Sequence, residues 1–245
     1  MKASKYQRRF YRDWVKDKGL YVTQIIAKET DIRITANKAV DKAFAQERIN
    51  IYRWDIERYI DKDHHFLTAL KPLPVELSAP LIIKEMADKS KKANVGPMST
   101  VAGAICEFLG RDLLQKGYKD VIIENGGDVF LKTRKARLIG IYSGRSKLWD
   151  NLCLKIKPKD TPLGICTSSG TIGHSLSFGQ ADSVVILSKS TSLADAVATA
   201  TCNRINFKQD LQKALDFARK IEGVLGAVII LKNNLVSWGK VEFSK

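Results

Sequence analysis

Apolar positions along the chain follow two different periods. Residues 20–35 carry β-branched side chains with partial alternation, in Tyr21-Val-Thr-Gln-Ile-Ile and Asp31-Ile-Arg-Ile-Thr, and Lys28-Glu-Thr-Asp fits the turn between them. That pattern predicts strands. From 38 to about 60 the spacing changes. Val40, Phe44, Ile51, Trp54 and Tyr59 recur at roughly helical intervals with no Gly or Pro between them, which predicts a long helix. Lys71-Pro-Leu-Pro ends whatever precedes it. A second helix is predicted over 80–92 and a break at Val95-Gly-Pro-Met-Ser. Ser99 or Thr100 is the candidate cap for a third helix, over 101–116, that stops at Gly117.

The second half returns to short apolar runs. Residues 121–124 predict a strand, Asn125-Gly126-Gly127-Asp128 a turn, and Val129-Phe-Leu-Lys its partner strand. Further strands are predicted over 137–142, 152–156 and 181–187, and a Gly/Ser/Thr-rich loop over 161–175. Helices over 192–202 and 210–221 are followed by strands at 227–231 and 235–238, with a turn at Asn233-Asn234. There is no low-complexity linker and no obvious short-period repeat. The fold class is therefore α+β: one domain over 1–245, built of antiparallel hairpins covered by helices, with 1–19 as a basic N-terminal extension.

Composition adds bounds. With 245 residues, 44% apolar and 27% charged, the chain is long enough for a full core and ordinary for a globular protein. No apolar run approaches membrane-spanning length, and the polar, basic start lacks the apolar core of a signal peptide. The expected location is the cytoplasm, with no membrane partner. A formal net charge of +15 favours anionic partners. The lysines are dispersed among apolar residues, and no zinc-finger or RNP-like motif is present, so no specific nucleic acid is expected. A homo-oligomer is compatible with these bounds. Cys106, Cys153, Cys166 and Cys202 are scattered, which points to reduced thiols and not to a zinc site or disulfide framework.

Four segments carry candidate chemistry. In Ser192-Leu-Ala-Asp-Ala-Val-Ala-Thr-Ala-Thr, Asp195 and Thr199 stand at i and i+4, on one helical face. A carboxylate and a hydroxyl there suit Mg²⁺, a hard cation that takes few protein oxygens and shares substrate phosphate. The bland alternative is an Asp that complements a helix dipole. In Cys166-Thr-Ser-Ser-Gly-Thr-Ile-Gly-His-Ser, successive small residues can turn backbone amides toward an anion, and Ser168, Ser169 and Thr171 add hydroxyls around Gly170. His174 is the candidate proton-transfer group there; a surface loop is the alternative. In Asn125-Gly126-Gly127-Asp128, a tight hairpin alone explains the glycines, while close approach to a ligand is the functional reading. Gly103 and Ala104, at the start of the third helix, are small enough to admit either a ligand or a neighbouring helix. His64 and His65 beside Asp61 and Asp63 lack further metal partners in the sequence and fit an exposed loop.

Taken in order, Gly103-Ala-Ile, Asn125-Gly-Gly-Asp, Thr167-Ser-Ser-Gly, His174 and Ala194-Asp-Ala-Val-Ala-Thr-Ala give the chain, over roughly 94–231, a resemblance to the ApbE-like superfamily. The best-known members of that superfamily are Mg²⁺-dependent FAD:protein FMN transferases. Gly-Pro-Met-Ser-Thr-Val-Ala-Gly-Ala and Ser-Ser-Gly-Thr-x-Gly-His-Ser are similar to a branch of stand-alone cytoplasmic proteins of archaea and bacteria without an assigned activity. The resemblance implies a T-fold-like antiparallel sheet with helices packed on one side. It implies Mg²⁺ held by Asp195, Thr199 and a carbonyl near Ala104. It also implies a flavin nucleotide, FAD, lined by Gly103, Asn125, Gly126, Gly127, Asp128, Ser168, Ser169, Gly170 and Thr171. The implied activity is FMN transfer to a Thr or Ser of an acceptor protein. The alternative is a non-catalytic binding or accessory protein, serving cofactor or sulfur metabolism with the same anion pocket. The chain departs from the transferases at Cys106-Glu107-Phe108, where they usually carry Lys-Gly-Tyr, and at Ser169-Gly-Thr171, where they have Ser-Gly-Asp.

Overall fold

A computed structural model of the chain describes residues 19–141, 147–149, 151–171 and 178–244. Strands β1 (Tyr21–Ala27) and β2 (Thr30–Ala36) form the first hairpin, turning at Lys28, whose φ is +52°. Helix α1 (Lys42–Lys62) follows, started by the Asp41 side chain, which accepts from the Phe44 amide. A short helix α2 (His65–Thr68) leads toward α3 (Leu81–Ala93), which ends at Asn94 in the left-handed conformation. A 3₁₀ turn at Pro97–Thr100 runs directly into α4 (Val101–Gln115). Thr100 occupies the capping position but makes no side-chain cap. Strands β3 (Val121–Asn125) and β4 (Asp128–Lys132) close on Gly126 and Gly127, both at positive φ, as a two-residue hairpin requires.

Strands β5 (Arg137–Gly140) and β6 (Cys153–Ile156) come next, then β7 (Leu163–Ser168) and β8 (Ser183–Ser188). Helices α5 (Thr191–Cys202) and α6 (Asp210–Lys220) precede β9 (Val224–Leu231), β10 (Asn234–Gly239) and the short β11 (Phe243–Ser244). Among the described residues the order β1-β2-β3-β4-β7-β8-β9-β10 makes one antiparallel sheet, and β11-β6-β5 makes a small second one. The long sheet is two tandem units, each a hairpin, a helical segment and a second hairpin, joined where β4 pairs with β7.

Period-two alternation sorts the core. On one face Val121, Ile123 and Phe130 pack under α1, α3 and α4, while Cys166, Val184, Ile186, Ala227 and Ile229 pack under α5 and α6. On the other face Ile122, Leu131, Ile165, Val185 and Val228 pack against Ile141, Leu154 and Ile156 of the small sheet. The architecture is the expected α+β domain with helices on one side of an antiparallel sheet. None of its described helices is long and apolar enough to cross a membrane.

One segment corrects the sequence expectation. Residues 161–175 were expected to form a loop, yet β7 runs through them at the centre of the long sheet. Its Gly, Ser and Thr residues read as turn chemistry because they are small. In the fold, smallness serves packing. A Cβ on Gly164 would stand 2.4 Å from the Thr191 Cα, at the start of α5. Gly164→Ala should therefore push α5 off the sheet and cost about 1–3 kcal/mol of stability. Urea unfolding checks this; an unchanged midpoint would show that the contact yields freely.

Candidate functional site

Helix α5 is the element on which the site is built. Its start is fixed by Ser190, whose hydroxyl accepts from the Leu193 amide at 3.2 Å. Ala194, Ala196, Ala198 and Ala200 leave it slim enough to lie against β7, β8, α3 and α4 at once. Ten of its twelve residues are buried, and the two that keep accessible surface are Asp195 and Thr199. A helix buried nearly all round thus opens to solvent along one line, occupied by a carboxylate and a hydroxyl one turn apart.

Helix α4 crosses α5 closely at Gly103. A Cβ there would meet the Thr191 carbonyl oxygen at 2.6 Å and the Asp195 Cβ at 2.8 Å. The Gly103 amide donates to Asp195 Oδ2 at 2.9 Å. Gly103 lies in the first turn of α4, where backbone amides have no helical acceptor, so Asp195 caps α4 from outside. Ala104, the next residue, is fully buried.

The converse contact comes from Glu107, one turn further along α4. Its side chain, only 2% exposed as a residue, reaches the start of α5. Glu107 Oε2 accepts from the Ser192 amide at 3.1 Å and from the Ser192 hydroxyl at 3.2 Å, and the Ser190 hydroxyl lies 3.1 Å away. Its other oxygen pairs with Arg111. Each of the two crossing helices is therefore capped by an acid of the other. Sequence reasoning passed over Glu107; a lone charge inside the apolar run Ala104-Ile-Cys-Glu-Phe-Leu was the available signal, because such a charge must be paired when buried.

The sheet contributes the floor. Asn125, Asp128 and Ser168, all buried, stand at the ends of β3, β4 and β7 with side-chain parity toward the helices. A Cβ on Gly127 would lie 3.7 Å from the Thr167 carbonyl oxygen of β7, and the Gly127 amide donates to Glu124 Oε1 at 3.1 Å. The Cys106 thiol donates to the Asp128 carbonyl at 3.5 Å, and the Cys166 thiol to the Thr191 carbonyl at 3.3 Å. Burial, with Asp128 as a charged neighbour, holds the Asp195 carboxyl well above the ordinary aspartate range against the pull of the Gly103 amide. Burial and the same two carboxylates push the Cys166 thiol up, so it stays neutral and serves as a packing group.

The fold thus gathers Gly103, Ala104, Asn125, Asp128, Ser168, Asp195 and Thr199 around the α4–α5 crossing. Other residues singled out in the sequence are engaged elsewhere. The Gly170 amide donates to the Ala181 carbonyl at 2.9 Å, and a Cβ on Gly170 would strike the Gly179 carbonyl. The Thr171 amide donates to the Ser169 hydroxyl at 3.2 Å. In this structure those two amides hold their own turn together. His174 lies outside the described residues. His64 and His65 are exposed, and the His65 amide donates to Asp63 Oδ1 at 3.0 Å. Among the described residues no three His, Cys, Asp or Glu side chains gather as a metal-ligating group.

The antiparallel sheet with helices on one side is the fold of an ApbE-like class of protein. A family model described as AbpE bacteria matches residues 12–243, and the chain belongs to that family. It is 41% identical over 226 residues to a UPF0280 protein of Methanocaldococcus jannaschii, covering 89% of this chain and 90% of the relative. It is 36% identical over 215 residues to a UPF0280 protein of Methanosarcina acetivorans, covering 87% and 85%. Among solved structures, flavin transferase ApbE from Vibrio cholerae superposes with a TM-score of 0.57 at 12% identity, over 90% of this chain and 96% of the other. The apo flavinyl transferase ApbE of Pseudomonas stutzeri gives the same TM-score and identity, over 90% and 94%. At that identity the likeness is one of fold.

Two predictions follow from the helix crossing. Glu107→Ala leaves the buried Ser192 amide and hydroxyl without their acceptor, and should cost about 1–3 kcal/mol by denaturant unfolding; a loss below a few tenths would mean that water takes over the cap. Glu85, on α3, lies 3.4 Å from the Ser190 hydroxyl. Burial, reinforced by Glu107, raises its carboxyl above the usual glutamate value, with Lys89 and Arg111 opposing. Because the raised value belongs to the folded state, the folded protein retains a proton that the unfolded chain has released, and stability falls as pH rises from the ordinary glutamate range through the raised value. Glu85→Gln should flatten that fall in unfolding free energy measured at a series of pH values. An identical pH slope in the variant would assign the effect to other groups.

Proposed function

We propose that the accessible line of α5 beside the α4–α5 crossing binds Mg²⁺ together with a flavin or other pyrophosphate-bearing nucleotide, FAD being the first candidate, and that the protein transfers FMN from FAD to a Thr or Ser of an acceptor protein. The observation that carries this reading is the single accessible line of α5, formed by Asp195 and Thr199 in an otherwise buried helix.

The donor set fits a hard cation. Asp195 and Thr199 offer a carboxylate and a hydroxyl, Asp128 adds a second carboxylate nearby, and the carbonyl near Ala104 is the backbone candidate. Two neighbouring carboxylates, Asp128 buried and Asp195 partly so, raise the local need for positive charge, which a cation meets. Once bound, the ion would supply charge stabilisation at the phosphoryl group under attack. The chain does the rest. The Gly103 amide orients Asp195, Glu107 fixes the helix that carries both ligands, and Asn125, Gly126, Gly127 and Ser168 form the wall against which a nucleotide would lie. In the transfer itself the acceptor hydroxyl oxygen bonds to the FMN phosphorus, the pyrophosphate P–O bond breaks and AMP leaves. His174 is the candidate to take the hydroxyl proton.

One observation favours a second reading. Cys106-Glu107-Phe108 stands where the transferases usually carry a Lys-Gly-Tyr segment that helps hold FAD, and here Glu107 caps α5. A pocket that keeps the cation but lacks that flavin contact fits a non-catalytic binding or accessory protein for cofactor or sulfur metabolism.

Flavin fluorescence titrations test the assignment. FAD should bind in Mg²⁺ and not in EDTA, and Asp195→Ala should weaken binding by at least about tenfold, with Thr199→Val weaker in effect. Equal FAD and Mg²⁺ affinity in Asp195→Ala and the parent would remove the site. Binding without AMP release in the presence of acceptor proteins would leave the accessory reading.

A further inference from the structure

The sheet face opposite α4 and α5 carries a concave feature. Where β6 and the turn at Pro158–Asp160 meet the ends of β7, β8 and β9, a cavity of about 340 Å³ opens. Its floor is apolar, formed by Leu163, Leu187, Leu225 and Val241. Its walls carry Lys155, Lys157, Lys159 and Lys240. Two further ammonium groups stand beside it. Lys189 Nζ donates to the Asp160 carbonyl at 2.7 Å, and Lys132 Nζ lies 3.4 Å from the Thr161 carbonyl.

Six lysines are thus set against two carboxylates. Glu242 bridges Lys155 at 3.2 Å and also pairs with Lys157, and Asp160 is the other acid. Six minus two leaves an excess of four positive charges around one small cavity. Lysines that merely keep a surface soluble repel one another apart. Here burial lowers the Lys189 ammonium, and Lys240 and Lys132 add repulsion that Asp160 only partly offsets. Such an excess over an apolar floor is what a bound anion relieves.

We propose that this cavity is a second ligand site, separate from the Asp195 site, which takes a small, multiply charged, phosphate-bearing molecule. The volume suits a small ligand and is too confined for a nucleic-acid duplex. The cations are all lysines, compact point charges that serve phosphate oxygens, whereas planar carboxylate recognition favours the arginine fork. The floor of Leu163, Leu187 and Val241 receives an apolar body attached to the phosphate.

Inorganic pyrophosphate, titrated calorimetrically into the full chain at near-physiological salt with EDTA present, is the probe. EDTA silences the proposed cation site, so the two proposals fail separately. One saturable binding event is expected. Lys189→Gln combined with Lys240→Gln should weaken it by about tenfold or more, and Lys240→Glu alone, at an exposed position, should weaken it too. Asp195→Ala should leave it unchanged. Melting curves confirm that the lysine variants fold. Parent-like binding by both lysine variants would overturn the proposal, as would loss of binding in Asp195→Ala. An unsaturable response that a single-stranded oligonucleotide reproduces with the same salt dependence would also overturn it, reducing it to net charge.

Discussion

The crossing of α4 and α5 governs the site, because each helix terminates the other. Helix starts leave amides without acceptors, and a start buried under neighbouring elements cannot turn to water for them. Asp195 of α5 answers the Gly103 amide of α4, and Glu107 of α4 answers the Ser192 amide of α5. The exchange requires the helices to lie close, and Gly103 permits it by presenting no Cβ to the Thr191 carbonyl. Asp195 is consequently held by a main-chain contact before any ligand arrives. A side chain fixed in this way keeps one orientation, as an exposed Asp on a loop does not.

The same closeness recurs wherever α5 meets backbone. Gly164 of β7 admits the start of the helix, and Gly179 lies against the Cys202 carbonyl at its end, with Gly170 stacked on Gly179 in turn. Glycines that suggest a flexible, ligand-cradling segment in the sequence are contact points between tightly stacked main chains. The site lies beside the β4–β7 pairing, where the two tandem units of the sheet join, so residues of both units reach it: Asn125 and Asp128 from the first, Ser168 and Asp195 from the second. Charge is divided in the same way. The helix face of the sheet holds the neighbouring acids Asp128 and Asp195 in a protein with a net charge of +15, and the opposite face gathers lysines beside buried leucines.

Glu107 illustrates how little a short sequence segment says about what its side chains do. In the fold, the carboxylate makes three contacts at the start of the helix that carries Asp195. Its oxygens are engaged by the start of α5 and by Arg111, so this acid serves the helix crossing.

By itself the sequence determined most of the elements and the shared helical face of Asp195 and Thr199. Period-two runs predicted the hairpins, helical spacing predicted α1 and α3 to α6, and Gly126-Gly127 predicted the positive-φ turn, because each of these is a local property of backbone and side chain. The i, i+4 spacing of Asp195 and Thr199 placed them on one face by helix geometry alone. Only the tertiary structure decided which face of α5 stays open, that the Gly/Ser/Thr run at 163–168 is a central strand, and that Glu107 belongs to the start of α5. These depend on contacts between residues distant in sequence, such as Gly103 with Asp195 and Gly164 with Thr191. Small residues look alike in sequence whether they form a loop or let two backbones touch, and only the packed neighbour tells the two apart.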